Sequence, residues 1–277
     1  MASPEAPRRL IVNADDFGRS RSINEAVIRA HREGILTTAS LMVNGDAFEE
    51  AVALAKQHPT LGVGLHLTLV MGRSTLPHSD IPALVNERGE FSNNPVKVGF
   101  RYQFNSSLRP QLERELAAQF TKFKSTGLTL DHVNGHLNLH MHPTVLAILR
   151  DHARDWGITH LRLTRDPFWL NAQLAGGEWA YRFLHALVFL FLAPVARRAI
   201  GPLGIRHTAR VFGLLQNSRV DEDFILKLLA RLPPGDSELY SHPSLDEFRN
   251  EFDALVSPRV KALAASQNIR LIRYQDL

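Results

Sequence analysis

Short apolar runs alternate with helical segments along most of this 277-residue chain, and that alternation constrains the fold more than any other feature. Near the start of the chain, the predicted strands lie at residues 9–14, 37–43 and 61–69. Predicted helices follow the first two strands, with Ser22 and Asp46 as their expected N-caps. Because short connections join each strand to a helix, the pattern predicts a parallel sheet wound with helices.

The later part of the chain continues this alternation, with two interruptions. Helices are predicted at 108–125, 144–150, 221–231 and 245–266, and strands end or lie at 130–133, 159–163, 210–215, 238–240 and 269–274. Residues at about 71–107 and 166–208 are read as insertions, which are often lids or binding loops. We therefore expect a single α/β domain over residues 1–277, a distorted (β/α) barrel of seven or eight strands.

Composition narrows the chemistry that such a domain can perform. The chain has no cysteine, so a metal ion would have to be bound by His, Asp or Glu. The net charge is +4 without basic runs, which gives nucleic-acid binding little support. Met1 to Arg9 lacks the apolar core of a secretory leader, so we expect a cytoplasmic location.

Histidine is concentrated in residues 131–143, which contain four of the thirteen histidines of the chain. Histidine is the commonest metal ligand among protein side chains. Gly135 interrupts the preceding strand and Pro143 suits the first turn of a helix, so the segment is predicted as a strand-to-helix turn. Such turns carry the active site in α/β folds. The alternative is a solvated loop with spare histidines.

Other candidate groups also follow predicted strands. They are Asp15 and Asp16 after the first strand, His66 near the end of the third, His136 and His140 after the fourth, and His242 after a late one. The carboxyl ends of parallel strands share one face, so we expect these groups to meet. One Asp and two His leave coordination positions open for water and substrate. Taken singly, the Asp pair could be an ordinary turn and His66 a hydrogen-bonded core residue.

One run in the second insertion, Phe183 to Ala196, is almost wholly apolar, and Arg197 and Arg198 follow it directly. The run is shorter than the roughly 20 apolar residues that a membrane span needs. It could be a buried core helix or an interfacial helix with its arginines at the lipid phosphates. Core packing, contact with a second copy in a homodimer, and peripheral contact with the inner face of the membrane all stay open for residues 183–198.

The run Leu10 to Gly18, Leu-Ile-Val-Asn-Ala-Asp-Asp-Phe-Gly, resembles the opening motif of the YdjC-like carbohydrate deacetylases, which include the chitooligosaccharide deacetylases. Residues 34–45, 64–69 and the histidine segment continue the resemblance, which covers most of the chain except the insertions. The resemblance implies a barrel related to the polysaccharide deacetylase fold and one divalent metal, Mg²⁺ or Zn²⁺. It also implies removal of the acetyl group from an N-acetylated sugar.

Site roles follow from this resemblance. Asp16, His66 and His136 fall on the metal-ligand positions of the family, and Asp15 falls on the general base. The usual pattern Asp-Ser-His-His-His-Val-His is changed in this chain, where it reads Asn134-Gly135-His136-Leu137-Asn138-Leu139-His140. The metal ligand is retained, but the hydrogen bonds around it are expected to differ.

Two further roles follow from charge. The leaving amine must depart neutral, so His242 or His140 is expected to protonate it. Arg162 could orient Asp15 by a charge-assisted hydrogen bond, and a structural salt bridge is an equal alternative for this arginine.

Arg210 to Leu215 and the apolar insertion before it resemble the hopanoid-biosynthesis-associated branch of the family. That resemblance implies an N-acetylglucosaminyl lipid of the hopanoid type as substrate. The alternatives are deacetylation of soluble chitooligosaccharides, a phosphoesterase, or a non-catalytic protein that binds a sugar-lipid. A phosphoesterase would usually need a second metal and more carboxylates. Asp15, which metal ligation does not require, argues against binding alone.

Overall fold

In a computed structural model, residues 6–277 of the chain are described. Residues 1–5 lie outside this range. They belong to the segment Met1 to Arg9, which was expected to lack a secretory leader. The strands of the described residues are β1 (Arg8–Phe17), β2 (Thr38–Leu41), β3 (Gly62–Leu67), β4 (Val133–Gly135), β5 (Arg210–Phe212), β6 (Gly235–Ser241) and β7 (Arg270–Leu271). All of their pairings are parallel, in the order β4-β3-β2-β1-β6-β5, and β7 pairs with the start of β1.

Helices alternate with these strands, as predicted. They are α1 (Arg21–Glu33), α2 (Phe48–Gln57), α3 (Pro95–Phe104), α4 (Arg109–Ser125), α5 (Pro143–Asp151), α6 (Phe168–Leu174), α7 (Trp179–Ile200), α8 (Glu222–Ala230), α9 (Arg249–Val256) and α10 (Pro258–Ser266). Within residues 6–277 the strands and the helices around them enclose one large cluster of buried apolar side chains.

The sheet curls into a distorted barrel because residues 159–165 bridge its two ends. The N–H of Val133 in β4 donates to the carbonyl of His160 at 3.0 Å. On the opposite side, the N–H of Val211 in β5 donates to the carbonyl of Arg165 at 3.0 Å. The segment forms isolated bridges in place of the regular strand predicted there. The prediction of a distorted parallel α/β barrel is confirmed.

Several predicted helix boundaries are wrong for identifiable reasons. Ser20, not Ser22, caps α1 and accepts a hydrogen bond from the N–H of Ile23. Asp46 does not cap α2, which begins after Ala47 without a side-chain cap. The helix predicted over 245–266 is divided into α9 and α10. Pro258, which has no N–H, begins the second of these helices.

The apolar run of the second insertion forms a longer helix than predicted. Helix α7 has 22 residues, and Pro194 lies inside it. Among the described residues, the segment Trp179–Leu203 is the one candidate whose length and composition would allow a membrane crossing, and 22% of its apolar window is buried. The apolar run itself, Phe183 to Ala196, stays shorter than a membrane span needs, and it is the helix around it that reaches a sufficient length. Length alone does not distinguish spanning from lying on a surface.

Candidate active site

A cavity of about 1680 Å³ lies at the carboxyl ends of the strands. Asp15, Asp16, His66, His136 and His242, all predicted as site residues, line it. Both insertions supply its walls, the first through residues between positions 71 and 101 and the second through one face of α7. The barrel therefore brings together side chains that are far apart in sequence, as the strand-end rule predicts.

Asp16, His66 and His136 form a compact group that could hold a metal ion. One ligand atom from each of the three lies within 4.8 Å of the others. The same Asp16 oxygen, Oδ1, is 3.2 Å from Nε2 of His66 and 3.1 Å from Nδ1 of His136. Asp16 and His66 are buried, whereas His136 is partly exposed toward the cavity. Two imidazoles and one carboxylate leave positions for water and substrate around a cation.

The hydrogen bonds around His66 fit a metal ligand. The amide nitrogen of Asn134 donates to Ser40 at 2.8 Å and to Asp15 at 3.1 Å, which fixes the direction of its oxygen. That oxygen accepts from Nδ1 of His66 at 2.7 Å. The pattern therefore assigns the proton to Nδ1 and turns the lone pair of Nε2 toward the Asp16 carboxylate. In this tautomer Nε2 and the carboxylate are both acceptors, so a cation held between them would satisfy both, and metal-bound histidines are commonly oriented in this way.

Asp16 sits at the site in a strained backbone conformation. Its φ of 64° is in the left-handed region, which non-glycine residues rarely adopt. Burial would raise the pKa of Asp16, but the adjacent rings of His136 and His66 hold it well below its usual value. Arg19 also lies 3.3 Å from its second oxygen. The residue is therefore an anion placed by an unusual backbone turn, a feature common at functional sites.

Asp15 is held by a dense set of donors. Its Oδ1 accepts from Asn13 at 2.8 Å, from Asn134 at 3.1 Å and from Arg162 at 2.9 Å. Its Oδ2 accepts from Arg162 at 2.8 Å. Burial would raise the pKa of Asp15, but the guanidinium of Arg162 lowers it far below the ordinary value. Asp15 is therefore ionised, and it lines the cavity with one oxygen, Oδ2, that accepts fewer hydrogen bonds than the other.

Arg162 joins this carboxylate to the barrel core. The guanidinium is fully buried and also contacts Glu238 at 2.7 Å. Burial alone would lower the pKa of Arg162, but Asp15 and Glu238 raise it well above its usual value. Tyr274 in turn donates to Glu238. Both alternatives considered for Arg162 describe the geometry, since one side chain orients Asp15 and forms a buried ion pair.

Sequence reasoning missed several residues that support Asp15 and His66. Asn13, Ser40 and Glu238 are polar residues inside the strands β1, β2 and β6, and each is fully buried. A polar side chain in a buried parallel strand requires a hydrogen-bond partner. The presence of polar residues inside these apolar strands was therefore the sequence signal that could have identified them. Ser40 also contacts Nε2 of His132 at 2.9 Å, so the network extends across the barrel.

The two histidines considered as proton donors occupy different environments. His242 lines the cavity, and its Nδ1 is 3.8 Å from the Glu251 carboxylate. Burial would lower the pKa of His242, but Glu251 raises it to about 9, with smaller effects of Asp16 and Asp15.

His140 is fully buried, and it is not among the residues that line the cavity. Its Nε2 donates to the carbonyl of Arg162 at 2.9 Å, and burial lowers its pKa to about 3. The structure thus brings His242 to the cavity and leaves His140 beneath it as a neutral residue.

Comparisons with known proteins identify relatives. The chain is 43% identical over 150 residues to the carbohydrate deacetylase of Brevibacillus brevis, a match that covers 54% of this chain and 57% of that protein. The chain thus spans little more than half the length of the first relatives it matches. Longer matches, each 32% identical, are to the carbohydrate deacetylase of Mus musculus (100% of this chain, 96% of that protein) and the chitooligosaccharide deacetylase of Serratia marcescens (97% and 98%).

Solved structures agree with the barrel assignment. A crystal structure of a protein from Enterococcus faecalis V583 superposes with a TM-score of 0.74 at 24% identity, covering 98% of this chain and 99% of that one. At this identity the similarity supports the fold alone. The family model described as YdjC-like protein matches residues 9–266. This match includes all the strand ends that form the site, and the chain belongs to the YdjC-like protein family.

Proposed function

We propose that this chain is a metal-dependent N-deacetylase that hydrolyses the acetamido group of an N-acetylated sugar. The observation that carries the proposal is the arrangement at the cavity floor. A buried carboxylate of Asp16 faces an imidazole lone pair of His66, and the ionised Asp15 lies beside them. The names of relatives that match the chain over nearly its full length support the same chemistry.

Asp16, His66 and His136 would hold a divalent ion, Mg²⁺ or Zn²⁺, which would supply Lewis acidity toward the amide carbonyl and lower the pKa of a bound water. Two imidazole ligands favour Zn²⁺, since Mg²⁺ prefers oxygen. Asn134 fixes the ring of His66 through the 2.7 Å hydrogen bond, so this ligand is set in place before the substrate arrives.

Asp15 would accept a proton from the attacking water. Its low pKa makes it a weak base, so it can act on an acidified water but not on bulk water. Arg162, Asn13 and Asn134 hold Oδ1 and restrain the carboxylate plane, which leaves Oδ2 as the atom that receives the proton. The water oxygen forms a bond to the acetyl carbon.

His242 would donate a proton to the sugar nitrogen as the carbon–nitrogen bond breaks. Its pKa of about 9 keeps the ring protonated at neutral pH, and its position in the cavity wall gives it access to the leaving group. The products are acetate and a free amine on the sugar, so no oxidant or additional co-reactant is needed. His140, neutral and buried, has no part in this step.

The cavity supports a substrate that combines a sugar with a lipid. Polar residues lie at its floor, whereas Leu184, Val188 and Leu192 of α7 form an apolar wall. Its volume of about 1680 Å³ exceeds the roughly 300–1,000 Å³ of common ligand pockets. Together with the resemblance of Arg210 to Leu215 to the hopanoid-associated branch, this supports an N-acetylglucosaminyl lipid of the hopanoid type.

A soluble chitooligosaccharide is the second candidate substrate. The observation that favours it is the match to the Serratia marcescens chitooligosaccharide deacetylase, which spans 97% of this chain. Both candidates place an acetamido group at the same polar floor. They differ in the part of the substrate that would contact the apolar wall of the cavity, which is a lipid in the first candidate and a further sugar in the second.

Acetate release distinguishes these substrates. The protein is stripped with a chelator, reloaded with Zn²⁺ or Mg²⁺, and assayed with N,N′-diacetylchitobiose and with an N-acetylglucosaminyl lipid in mixed micelles. We expect acetate from the lipid with kcat/KM at least about tenfold above that for the disaccharide, because a few extra buried methylenes stabilise binding by this much. Preference for the disaccharide would favour the second candidate, and no acetate from either substrate with either metal would refute deacetylation.

A further inference from the structure

Exposed apolar side chains are concentrated around the mouth of the cavity. Among the large apolar residues that are exposed, four lie in the first insertion and nine in the second, which leaves Leu137 and Leu271 elsewhere. The most exposed include Phe100 and Phe104 of α3, at 62% and 77%, and Phe191 of α7, at 68%. We call the exposed faces of α3 and α7 the apolar rim.

The two helices of the apolar rim flank the same opening. Val96 and Phe100 of α3 and Leu184 and Val188 of α7 are exposed, yet they also line the cavity. The rim is therefore continuous with the entrance to the candidate active site. An apolar surface of this extent is unusual on a protein that meets only water.

Helix α7 lies on the body of the protein, although it is long enough to cross a bilayer. Phe189, Ala193 and Ala196 are buried at helical spacing and form a stripe against the core. The opposite side, which includes Leu190 and Phe191, faces outward. A helix held along one side by the protein fits an interfacial position better than a spanning one.

The charged residues near the apolar rim are basic, which indicates what kind of surface it could bind. Neither α3 nor α7 contains an acidic residue. Arg197 and Arg198 in the last turn of α7 and Lys97 in the first turn of α3 are all exposed. Basic side chains next to an exposed apolar surface complement a bilayer that contains anionic phospholipids.

We infer that the apolar rim docks this protein on the surface of an anionic phospholipid bilayer, with the cavity mouth facing the lipid. A second copy is the less suitable occupant, because a chain seated on α3 and α7 would cover the cavity entrance that both helices line. The inference extends the proposed lipid-linked substrate, but its test requires no turnover.

Vesicle flotation tests the docking. The full chain is mixed with vesicles of phosphatidylcholine alone, or with about a third phosphatidylglycerol, at low and high salt. We expect the wild type to float with the anionic vesicles and to bind less at high salt. Leu190→Asp with Phe191→Asp should reduce the floated fraction about tenfold, because two charges would enter the apolar boundary. Neither residue lines the cavity.

A matched control separates docking from net charge. Ala262→Asp with Ala265→Asp adds the same two charges at exposed positions of α10, which does not line the cavity, and should leave flotation unchanged. Arg197→Ser with Arg198→Ser should remove most of the preference for anionic vesicles. Phe189 is unsuitable as a test position because it is buried and lines the cavity.

Three outcomes would overturn the inference: no flotation of the wild type, equal flotation of the Leu190/Phe191 and control variants, or a solution dimer that the Leu190→Asp, Phe191→Asp variant converts to a monomer. The last result would assign the apolar rim to a second copy. Acetate release from diacetylchitobiose should be unchanged in the Leu190/Phe191 variant. If no variant releases acetate but flotation follows the predictions, the proposed function fails and the docking surface stands.

Discussion

The two oxygens of the ionised Asp15 carboxylate differ in how many hydrogen bonds they accept. Arg162, Asn13 and Asn134 bind Oδ1, and a single contact to Arg162 restrains Oδ2. Oδ2 therefore accepts fewer hydrogen bonds than Oδ1, and the residue lines the cavity.

Replacement of Asp15 by Asn should separate metal binding from catalysis. We expect Asp15→Asn to lower kcat for acetate release by at least about a hundredfold, because an amide cannot accept the water proton. Metal content, measured by plasma emission spectroscopy, should stay at the wild-type ratio since Asp15 is outside the ligand group. As a control, Asp16→Asn should lose the metal. Near-wild-type turnover of Asp15→Asn would contradict the role of Asp15.

The pH dependence of the reaction should report His242. The ring must be protonated to donate, so the rate should fall as the pH rises through about 9. Glu251 is the anion that raises this pKa. We therefore expect Glu251→Gln to move the basic limb of kcat to lower pH, and His242→Gln to abolish that limb. A pH–rate profile whose basic limb is the same in all three proteins would exclude His242 as the acid.

At the level of single residues, the sequence predicted the charged site residues but not the buried polar residues that hydrogen-bond to them. Asp16, His66 and His136 were identifiable because each lies near the end of a predicted strand and because all three fall on metal-ligand positions of the family that the chain resembles. Asn13 and Ser40 were not identified, since single polar residues in strands acquire meaning only when their neighbours across the barrel are known. Residue spacing along the chain contains no information about those partners.

Among the secondary-structure elements, β3 shows how closely the barrel packs beneath the site. An added Cβ at Gly64 would lie 2.5–2.6 Å from ring atoms of His132. That ring cannot move freely, because Ser40 holds one nitrogen and Asp131 the other, at 2.9 and 3.0 Å. The glycine is therefore required by the close approach of β3 to the residue that precedes β4.

Gly64→Ala should destabilise the fold by about 1–3 kcal/mol, the usual cost of overpacking a rigid core. The free energy of unfolding can be measured by urea titration. Gly99→Ala in α3 is the matched control, because an added Cβ there meets nothing within 4 Å and alanine favours a helix by up to about 1 kcal/mol. A Gly64→Ala protein as stable as the wild type would show that His132 is not fixed as described.

The sequence predicted which segments are helices and strands better than it predicted where each of them begins and ends. The strands and helices of the barrel follow from apolar periodicity, but Ser20 and Ser22 are equally good caps by composition. Residues 159–163 were predicted as a regular strand and form isolated bridges, because their register depends on β4 and β5 together. Local sequence does not encode that dependence.

For the whole molecule, the sequence predicted the parallel barrel and the meeting of distant groups at one end. It left the position of α7 open, because a buried helix and a surface helix with an apolar outer face have the same composition. The structure shows that the two insertions, separated by the histidine segment, meet at one opening. Long-range placement of this kind depends on the tertiary fold.

The central claim is that one metal ion at Asp16, His66 and His136 supports deacetylation, and a metal titration tests it most directly. Chelator-treated protein is titrated with Zn²⁺ while acetate release is measured from an N-acetylated sugar. We predict that the rate rises linearly and levels off at about one equivalent, the stoichiometry of a single catalytic metal site. His66→Ala should show no such rise. Full activity in the metal-free protein, or an unchanged titration of His66→Ala, would contradict the account.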